Sequence, residues 1–305
     1  MCLTGTIKPL PTCPGFLRDF IRCQDGLSRL DWIMVNKFRF CRYLLILVIS
    51  FGGIIGGCGK ARPAKIRVVA TTSLISTIVD AVGKEKVSVF TIAPPDFCPG
   101  HFDIQPATVL QVQEGQLLLN HGWEGWFENL RSKIRNPDLH QVTLTTTGNW
   151  MIPDIQKKAT DEITRILVGV DPADSILFQK NARFYKSQID SLTVIIQQMF
   201  RNRELPKVIC AEQQAPFIQW LGFPVVATYG RPEDWTAQDL ARLARVIVDS
   251  GVGLIIDNLQ SGPDAGKELA RAAGIRQITL SNFPLAGSYL KTLMDNCQRL
   301  AEVIR

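Results

Sequence analysis

Cys98 and His101 stand three residues apart in the loop at residues 94–106, and both side chains are suited to chemistry. Four prolines and one glycine predict that this segment is a loop. A thiolate near an imidazole can bind a zinc-type ion, or it can act as a nucleophile with a general base. No third orienting group and no oxyanion motif accompany the pair, so a thiol enzyme is only a minor alternative. A surface histidine that hydrogen-bonds to the backbone is the plainer alternative.

Short apolar runs alternate with stretches of helical periodicity through most of the chain after residue 65. The runs predicted to be strands are residues 66–72, 87–93, 116–120, 142–145, 207–211, 224–228, 253–256 and 276–280. Such alternation is typical of an α/β fold, in which crossover helices connect the strands of a parallel sheet. We therefore expect parallel sheets with helices packed on them.

A long helical stretch separates the two series of strands. It begins at Pro172 and runs to about Phe200. At 1.5 Å per residue a helix of this length spans roughly 40 Å, which is too long for an ordinary crossover. A rigid helix that connects two βα lobes, each with a parallel sheet, is the simplest interpretation. The predicted organisation is a first lobe at residues 58–170, a connecting helix at 171–203 and a second lobe at 204–305.

Polar side chains gather where the predicted strands end. Ligands of open α/β sheets bind beyond the carboxyl ends of the strands, so this rule selects residues without any knowledge of function. The selected residues are Thr71, Thr72, Ser73, Cys98, His101, Asn120, His121, Glu124, Cys210, Glu212, Gln213, Tyr229, Arg231, Asp257, Asn258, Gln260, Ser281 and Asn282. Those expected to line a cleft between the lobes are Ser73, Asn120, His121, Gln213, Tyr229 and Asn258.

The mixture of thiol, imidazole and carboxylate groups in this set favours a divalent metal ion. The three groups together suit zinc, and imidazole with carboxylate alone also suits manganese. Simpler alternatives remain, because Glu212 or Asp257 could cap the helix that follows it. Cys98 or Cys210 could be a small buried hydrophobic residue. We expect His121 to lie on the rim of the site.

Residues 1–57 have the pattern of a leader. After Met34, a basic segment precedes an apolar run at residues 43–51, and small residues then lead to Cys58. This is the layout of a secretory signal, and the cysteine at its end predicts lipid attachment to Cys58. A single transmembrane anchor is the alternative, although the apolar run is short for a span. No structure is predicted for residues 1–33, which precede Met34.

The basic character of the chain is concentrated in this leader. The net charge is +6, and residues 1–57 hold seven Lys or Arg against three Asp or Glu. Because no basic stripe with interleaved aromatic residues follows, we do not predict nucleic-acid binding. Three cysteines follow Cys58, and an odd number argues against a disulfide framework.

Residues 66–305 resemble the substrate-binding lipoproteins of zinc and manganese ABC importers. Residues 99–106 are similar to the family's Asp-Pro-His-x-Tyr-Glu-Pro loop. The histidine of that loop binds metal, and it matches His101. Asn120 together with residues 124–126 resembles the family's Asn…Glu-x-Trp segment.

The resemblance continues through the second half of the chain. Residues 150–153 resemble the end of the family's His-x-Trp-x-x-Pro motif, and residues 171–196 resemble its rigid connecting helix. Residues 256–260 resemble the segment that bears its acidic ligand. Residues 289–296 are similar to its C-terminal Tyr-Leu…Asn signature.

This family resemblance implies a receptor rather than an enzyme. The protein would be exported, anchored by lipid on Cys58 to the periplasmic or extracellular face of the membrane, and monomeric. It would capture a zinc or manganese ion between its lobes and deliver the ion to a permease and its ATPase.

The family's metal ligands are retained only in part. Its second histidine falls on Gly148, and the histidine of its third ligand segment falls near Ala211 and Glu212. Its acidic ligand falls on Asp257 or Asn258. The ligand set implied for this chain is His101, Glu212, Asp257 and Cys98. The alternative is the same receptor role for a different solute or a metal chelate, for which Gly148 leaves room.

Overall fold

The computed structural model describes residues 65–98 and 102–304. The strands are β1 (Ile66–Ala70), β2 (Val87–Thr91), β3 (Leu117–Asn120), β4 (His140–Thr143), β5 (Val208–Ala211), β6 (Val225–Tyr229), β7 (Leu254–Asn258) and β8 (Arg276–Leu280). The helices are α1 (Ser73–Gly83), α2 (Pro106–Gln113), α3 (Phe127–Lys133), α4 (Pro153–Val170), α5 (Ser175–Phe200), α6 (Ala215–Trp220), α7 (Ala237–Ser250), α8 (Lys267–Ala273) and α9 (Tyr289–Val303). The predicted leader, Cys58 and His101 lie outside the described residues.

The strands form two parallel sheets with the same topology, β2-β1-β3-β4 and β6-β5-β7-β8. Every residue of β3, β5 and β7 is buried, because inner strands of a parallel sheet are covered on both faces. The outer strand β4 is mostly exposed. The predicted α/β fold with a parallel sheet in each of two lobes is confirmed.

The helix α5 lies between the two sheets in the chain. It contains 26 residues, which corresponds to about 39 Å. Its buried face includes Phe178, Ala182, Tyr185 and Ile189, a spacing that places them on one side of a helix. The helix packs against α1 and α4 of the first lobe and against α9 of the second. The predicted long connecting helix is therefore present.

Some element boundaries match the sequence patterns and others do not. Thr236 caps α7 in a capping box with Asp239, and Gly251 ends that helix in a left-handed conformation. The strand expected at residues 142–145 is instead β4, which begins two residues earlier at His140. Within the described ranges, none of the helices has both the length and the apolar character needed to cross a membrane.

A buried carboxylate fixes the segment that leads from β4 into α4. Both oxygens of Glu162 accept hydrogen bonds, over 2.6 to 3.0 Å, from the backbone N–H groups and hydroxyls of Thr145 and Thr146. Trp150 Nε1 then donates to the Thr146 carbonyl over 3.2 Å. These bonds set the position of Gly148 and its neighbours, which face the second lobe.

Candidate functional site

A cavity of about 460 Å³ lies between the carboxyl edges of the two sheets. The first lobe lines it with Leu74, Cys98, His121, Trp123, Gly148, Asn149 and Trp150. The second lobe lines it with Glu212, Gln213, Pro216, Arg231, Asn258, Gln260, Ser261, Asn282 and Phe283. This is the location that the topology of the sheets predicts for a ligand. The volume falls in the range of small-molecule pockets and is larger than a single ion requires.

The His121 side chain is fixed in the wall of the first lobe. Its backbone N–H donates to Glu124 Oε1 over 2.9 Å, and its ring Nε2 lies 2.8 Å from Thr72 Oγ1. The ring stacks on Trp123 with centroids 5.0 Å apart and meets Trp150 edge-on at 4.6 Å. Burial lowers the pKa of the imidazole to about 4, although the Glu124 carboxylate acts in the opposite direction. His121 is therefore neutral at pH 7, the form that binds metal ions.

Buried polar atoms support the loop that carries His121. Glu124 is only 4% exposed, and its Oε1 accepts from the Thr71 hydroxyl as well as from the His121 N–H. Glu124 Oε2, Ser73 Oγ and Asn120 Oδ1 have no hydrogen-bond partner within the described ranges. Orphaned buried polar atoms are rare in proteins and need an explanation. Because three such atoms lie at the carboxyl edge of one sheet, this edge is a candidate for a functional site.

Cys98 reaches the second lobe through Arg231. The guanidinium of Arg231 donates to Cys98 Sγ, and it also lies 3.6 Å from Glu233. A positive charge is therefore built into the cavity wall, where it repels any cation bound next to it. The other two described cysteines, Cys210 and Cys297, are buried, and burial raises the pKa of each thiol to about 12.

The carboxylates of Glu212 and Asp257 lie in opposite environments. Glu212 is exposed and lines the cavity. Asp257 is completely buried, and burial raises the pKa of its carboxyl group. Its oxygens accept hydrogen bonds from the Tyr229 hydroxyl, from Gln277 Nε2 at 2.6 Å and from the Gly266 N–H at 2.9 Å. Asp257 and Tyr229 are outside the cavity wall, contrary to the expectation from the sequence, because these internal bonds occupy them.

Amide side chains connect the lobes across the cavity. Asn149 Nδ2 donates to the Gln213 carbonyl over 2.8 Å and to Asn282 Oδ1 over 3.0 Å. Gln260 Nε2 donates to the Pro95 carbonyl over 2.7 Å. These hydrogen bonds hold the two walls against each other.

Gly148 contributes backbone but no side chain to the wall. Its φ is +100°, and a Cβ atom built on it would lie 2.7 Å from Ile155 Cδ1. This conformation favours glycine. A ligand side chain at this position would need the backbone and Ile155 to move.

The structure thus separates the sequence candidates into two groups. Cys98, His121, Glu212, Gln213 and Asn258 line the cavity, whereas Ser73, Asn120, Tyr229 and Asp257 are buried outside it. Within residues 65–98 and 102–304, no three His, Cys, Asp or Glu side chains lie close enough together to hold a metal ion. Sequence reasoning missed Asn149, because it lies in an irregular segment six residues beyond the end of β4 rather than directly at a strand end. Its position next to Gly148 was the available signal.

Solved structures with the same fold include several metal-binding proteins. A crystal structure of ZnuA has a TM-score of 0.69 at 16% identity and covers 79% of this chain and 100% of that chain. The periplasmic zinc-binding protein TroA from Treponema pallidum has a TM-score of 0.67 at 17% identity, with 79% and 99% covered. At these identities the likeness shows the fold alone.

Curated relatives have been named as metal-transport lipoproteins. The metal ABC transporter substrate-binding lipoprotein ScbA of Streptococcus cristatus is 23% identical over 192 residues, which are 53% of this chain and 62% of that protein. The manganese ABC transporter substrate-binding lipoprotein ScaA of Streptococcus gordonii is 23% identical over 207 residues, or 58% and 66%. The chain thus spans slightly less than two thirds of the length of these relatives. The sequence model for zinc-uptake complex component A, periplasmic, matches residues 68–303, and the chain belongs to this ZnuA family.

Proposed function

We propose that this protein is the substrate-binding receptor of an ABC importer and that it captures a divalent ion, zinc or manganese, between its lobes. The observation that carries the proposal is the cavity at the carboxyl edges of both sheets, with the neutral imidazole of His121 in one wall and the carboxylate of Glu212 in the other. Imidazole and carboxylate are ligands for both ions. Membership of the ZnuA family supports the same role.

The cellular arrangement follows from this role. Lipid on Cys58 anchors the exported protein to the outer face of the membrane, and residues 58–170, 171–203 and 204–305 serve as first lobe, connecting helix and second lobe. The receptor acts as a monomer and delivers its ion to a permease that is driven by an ATPase. It catalyses no reaction, in keeping with a family of receptors.

His101 is the first ligand that we propose, together with Glu212 and Cys98. Cys98 lines the cavity, and His101 follows it by three residues in the sequence. We leave Asp257 out of the set, because its oxygens already accept hydrogen bonds from three residues.

Calorimetric titration of the ion-free protein with Zn²⁺ and Mn²⁺ tests the proposal. The His101→Ala variant should lose high-affinity binding. The matched control is His140→Ala, because His140 is exposed on β4 and away from the cavity, and this variant should bind like the parent. Unchanged binding by the His101→Ala variant would remove His101 from the site.

A different solute or a metal chelate is the second candidate, and the charge of Arg231 in the wall favours it. A cavity of about 460 Å³ also has room for more than one ion. Mass spectrometry of small molecules released from the purified protein distinguishes the two cargoes. An organic compound in stoichiometric amount, with no calorimetric response to Zn²⁺ or Mn²⁺, would select this candidate.

The thiol-enzyme alternative needs Cys98 to act as a nucleophile with His101 as its base. Slow and nonselective alkylation of Cys98 would eliminate it. Rapid alkylation that depends on His101 would instead support it.

A further inference from the structure

We propose that Gln260 and Asn282 form a latch of neutral amides that joins the two lobes across the cavity, so that a solute enters or leaves after this latch has opened. The inference rests on the proposed receptor function for its purpose, because a receptor has to admit and release its cargo. The latch is built entirely from groups of the chain itself, and its test therefore requires no cargo.

Gln260 is the first half of the latch. It follows β7 in the second lobe and is 7% exposed. Its Nε2 donates to the Pro95 carbonyl of the first lobe over 2.7 Å and to Ser281 Oγ over 2.9 Å. Its Oε1 accepts from the Asn282 N–H over 3.1 Å. Because a backbone N–H can only donate, this last bond determines which end of the Gln260 amide faces the first lobe.

Asn282 is the second half, and it joins Gln260 to a further contact between the lobes. Its Oδ1 accepts from Asn149 Nδ2 of the first lobe over 3.0 Å, and its Nδ2 donates to the Gln213 carbonyl over 2.9 Å. The orientation of the Asn149 amide is fixed as well, since its Oδ1 accepts from the Met151 N–H over 2.8 Å. One continuous chain of hydrogen bonds therefore crosses between the lobes at both of its ends.

The residues of the latch also belong to the cavity wall. Asn149, Gln213, Gln260 and Asn282 all line the cavity, so a solute meets the side chains that join the lobes. Each of these hydrogen bonds contributes little net stability, because water replaces the partner when the bond opens. The lobes retain their own buried strands β3, β5 and β7, so the latch can open while each sheet stays folded. Access to the cavity is thereby coupled to separation of the lobes.

The same bonds could instead be packing contacts that open only when the protein unfolds. Three cysteines separate these two roles. Cys98 lines the cavity and is partly buried, and it follows Pro95 by three residues, whereas Cys210 and Cys297 are completely buried. Release of the Pro95 carbonyl by Gln260 frees the segment that carries Cys98. Opening of the latch therefore exposes Cys98 alone, and unfolding exposes all three thiols.

The experiment measures the rate of alkylation by iodoacetamide at each of these cysteines, by peptide mass spectrometry, in the full-length parent and in the Gln260→Met and Asn282→Ala variants. Methionine retains the length of glutamine but lacks its donor and acceptor. Loss of one hydrogen bond typically shifts an equilibrium roughly fivefold, so each variant should raise the Cys98 rate by about fivefold. Gln141→Met is the matched control, because Gln141 is exposed on β4 and outside the cavity wall. Its Cys98 rate should stay within about twofold of the parent.

The double variant tests whether the two residues act as one unit. Members of one hydrogen-bond network are not additive, so the double variant should accelerate Cys98 by less than the product of the single effects. Parental Cys98 rates in both single variants, equal acceleration at Cys210 and Cys297, or a full product in the double variant would each overturn the latch. These outcomes leave the receptor proposal intact, which fails separately if calorimetry shows binding of neither Zn²⁺ nor Mn²⁺.

Hydrogen exchange in the unaltered protein, resolved by NMR, keeps the test decisive if a variant does not fold. The N–H of Asn282 donates to Gln260 in the latch, whereas the N–H of Ser281 donates to Asn296 within the second lobe, each over 3.1 Å. After correction for intrinsic rates, the Asn282 N–H should exchange roughly tenfold faster or more, because it requires only local opening. Equal protection of the two groups would mean that the latch opens only with the lobe, and this would overturn the inference.

Discussion

The two sheets share one strand order but differ in the chemistry at their carboxyl edges. The first presents a histidine backed by a buried carboxylate, Glu124, with one oxygen that has no partner in the described residues. At the second, the buried carboxylate of Asp257 has both oxygens bonded, and the exposed Glu212 faces the cavity. Position at a strand end selects a residue for a site, and the hydrogen bonds around the residue then determine whether it is available.

The largest difference in stability is expected between alanine variants of the two carboxylates of the second lobe. Asp257→Ala leaves the buried Gly266 N–H without an acceptor and removes one acceptor each from Tyr229 and Gln277. We expect a loss of about 3 kcal/mol in the free energy of unfolding. Glu212→Ala should stay within about 0.5 kcal/mol of the parent and lose metal affinity. Denaturant unfolding measures the stability of both variants, and calorimetric titration measures their affinity for metal ions. A stable Asp257→Ala variant that fails to bind metal would reverse the roles that we assign.

In the first lobe, the stability of a Gly148 variant can be compared with that of a matched glycine variant. Gly148→Ala places a Cβ 2.7 Å from Ile155 Cδ1 at a φ of +100°, so we expect about 2 kcal/mol of destabilisation. Gly125→Ala is the matched control, because nothing lies within 4 Å of its added Cβ. Thermal unfolding compares the two variants. Equal midpoints would mean that Gly148 is replaceable and that the missing side chain there is not imposed by the fold.

Glu162 tests how firmly the first lobe holds the Gly148 segment. Burial raises the pKa of Glu162, but hydrogen bonds from Thr146 and Thr145 outweigh this and leave the pKa below its usual 4.5. A lowered pKa in the folded state stabilises the protein above pH 4.5, and this stabilisation is lost as the pH falls through the folded-state value. Glu162→Gln should therefore cost about 1 to 2 kcal/mol at pH 7. The difference from the parent should shrink at pH 3, as followed by urea unfolding, and a constant difference would contradict this origin.

A smaller loss of stability than for Asp257, Gly148 or Glu162 is expected at the hydrogen bonds that join the two lobes. Asn149→Ala removes the donor to Gln213 and Asn282 and should cost about 1 kcal/mol. The same change should favour separation of the lobes, visible as a larger radius of gyration in small-angle X-ray scattering. Asn129→Ala, on the exposed surface of α3, is the control. An unchanged radius would show that other contacts keep the lobes together.

The sequence was sufficient for the fold and insufficient for the site. Alternating apolar runs and the long helix beginning after Pro172 predicted both sheets and α5, because burial on both faces leaves continuous apolar strands such as β3. The start of α8 was less visible, since the Gly266 N–H bonds to Asp257 and the chain remains in turns as far as that residue. The burial of Asp257 was not visible either, because its partners come from β6 and β8 as well as from its own loop.

The metal content of the protein purified from its own host tests the central claim most directly. We predict close to one equivalent of zinc or manganese by elemental analysis, removal of the ion by a chelator, and its recovery on titration with the same ion. Protein that contains neither ion, takes up neither ion and retains an organic compound would contradict the claim that the cavity between the lobes receives a divalent cation.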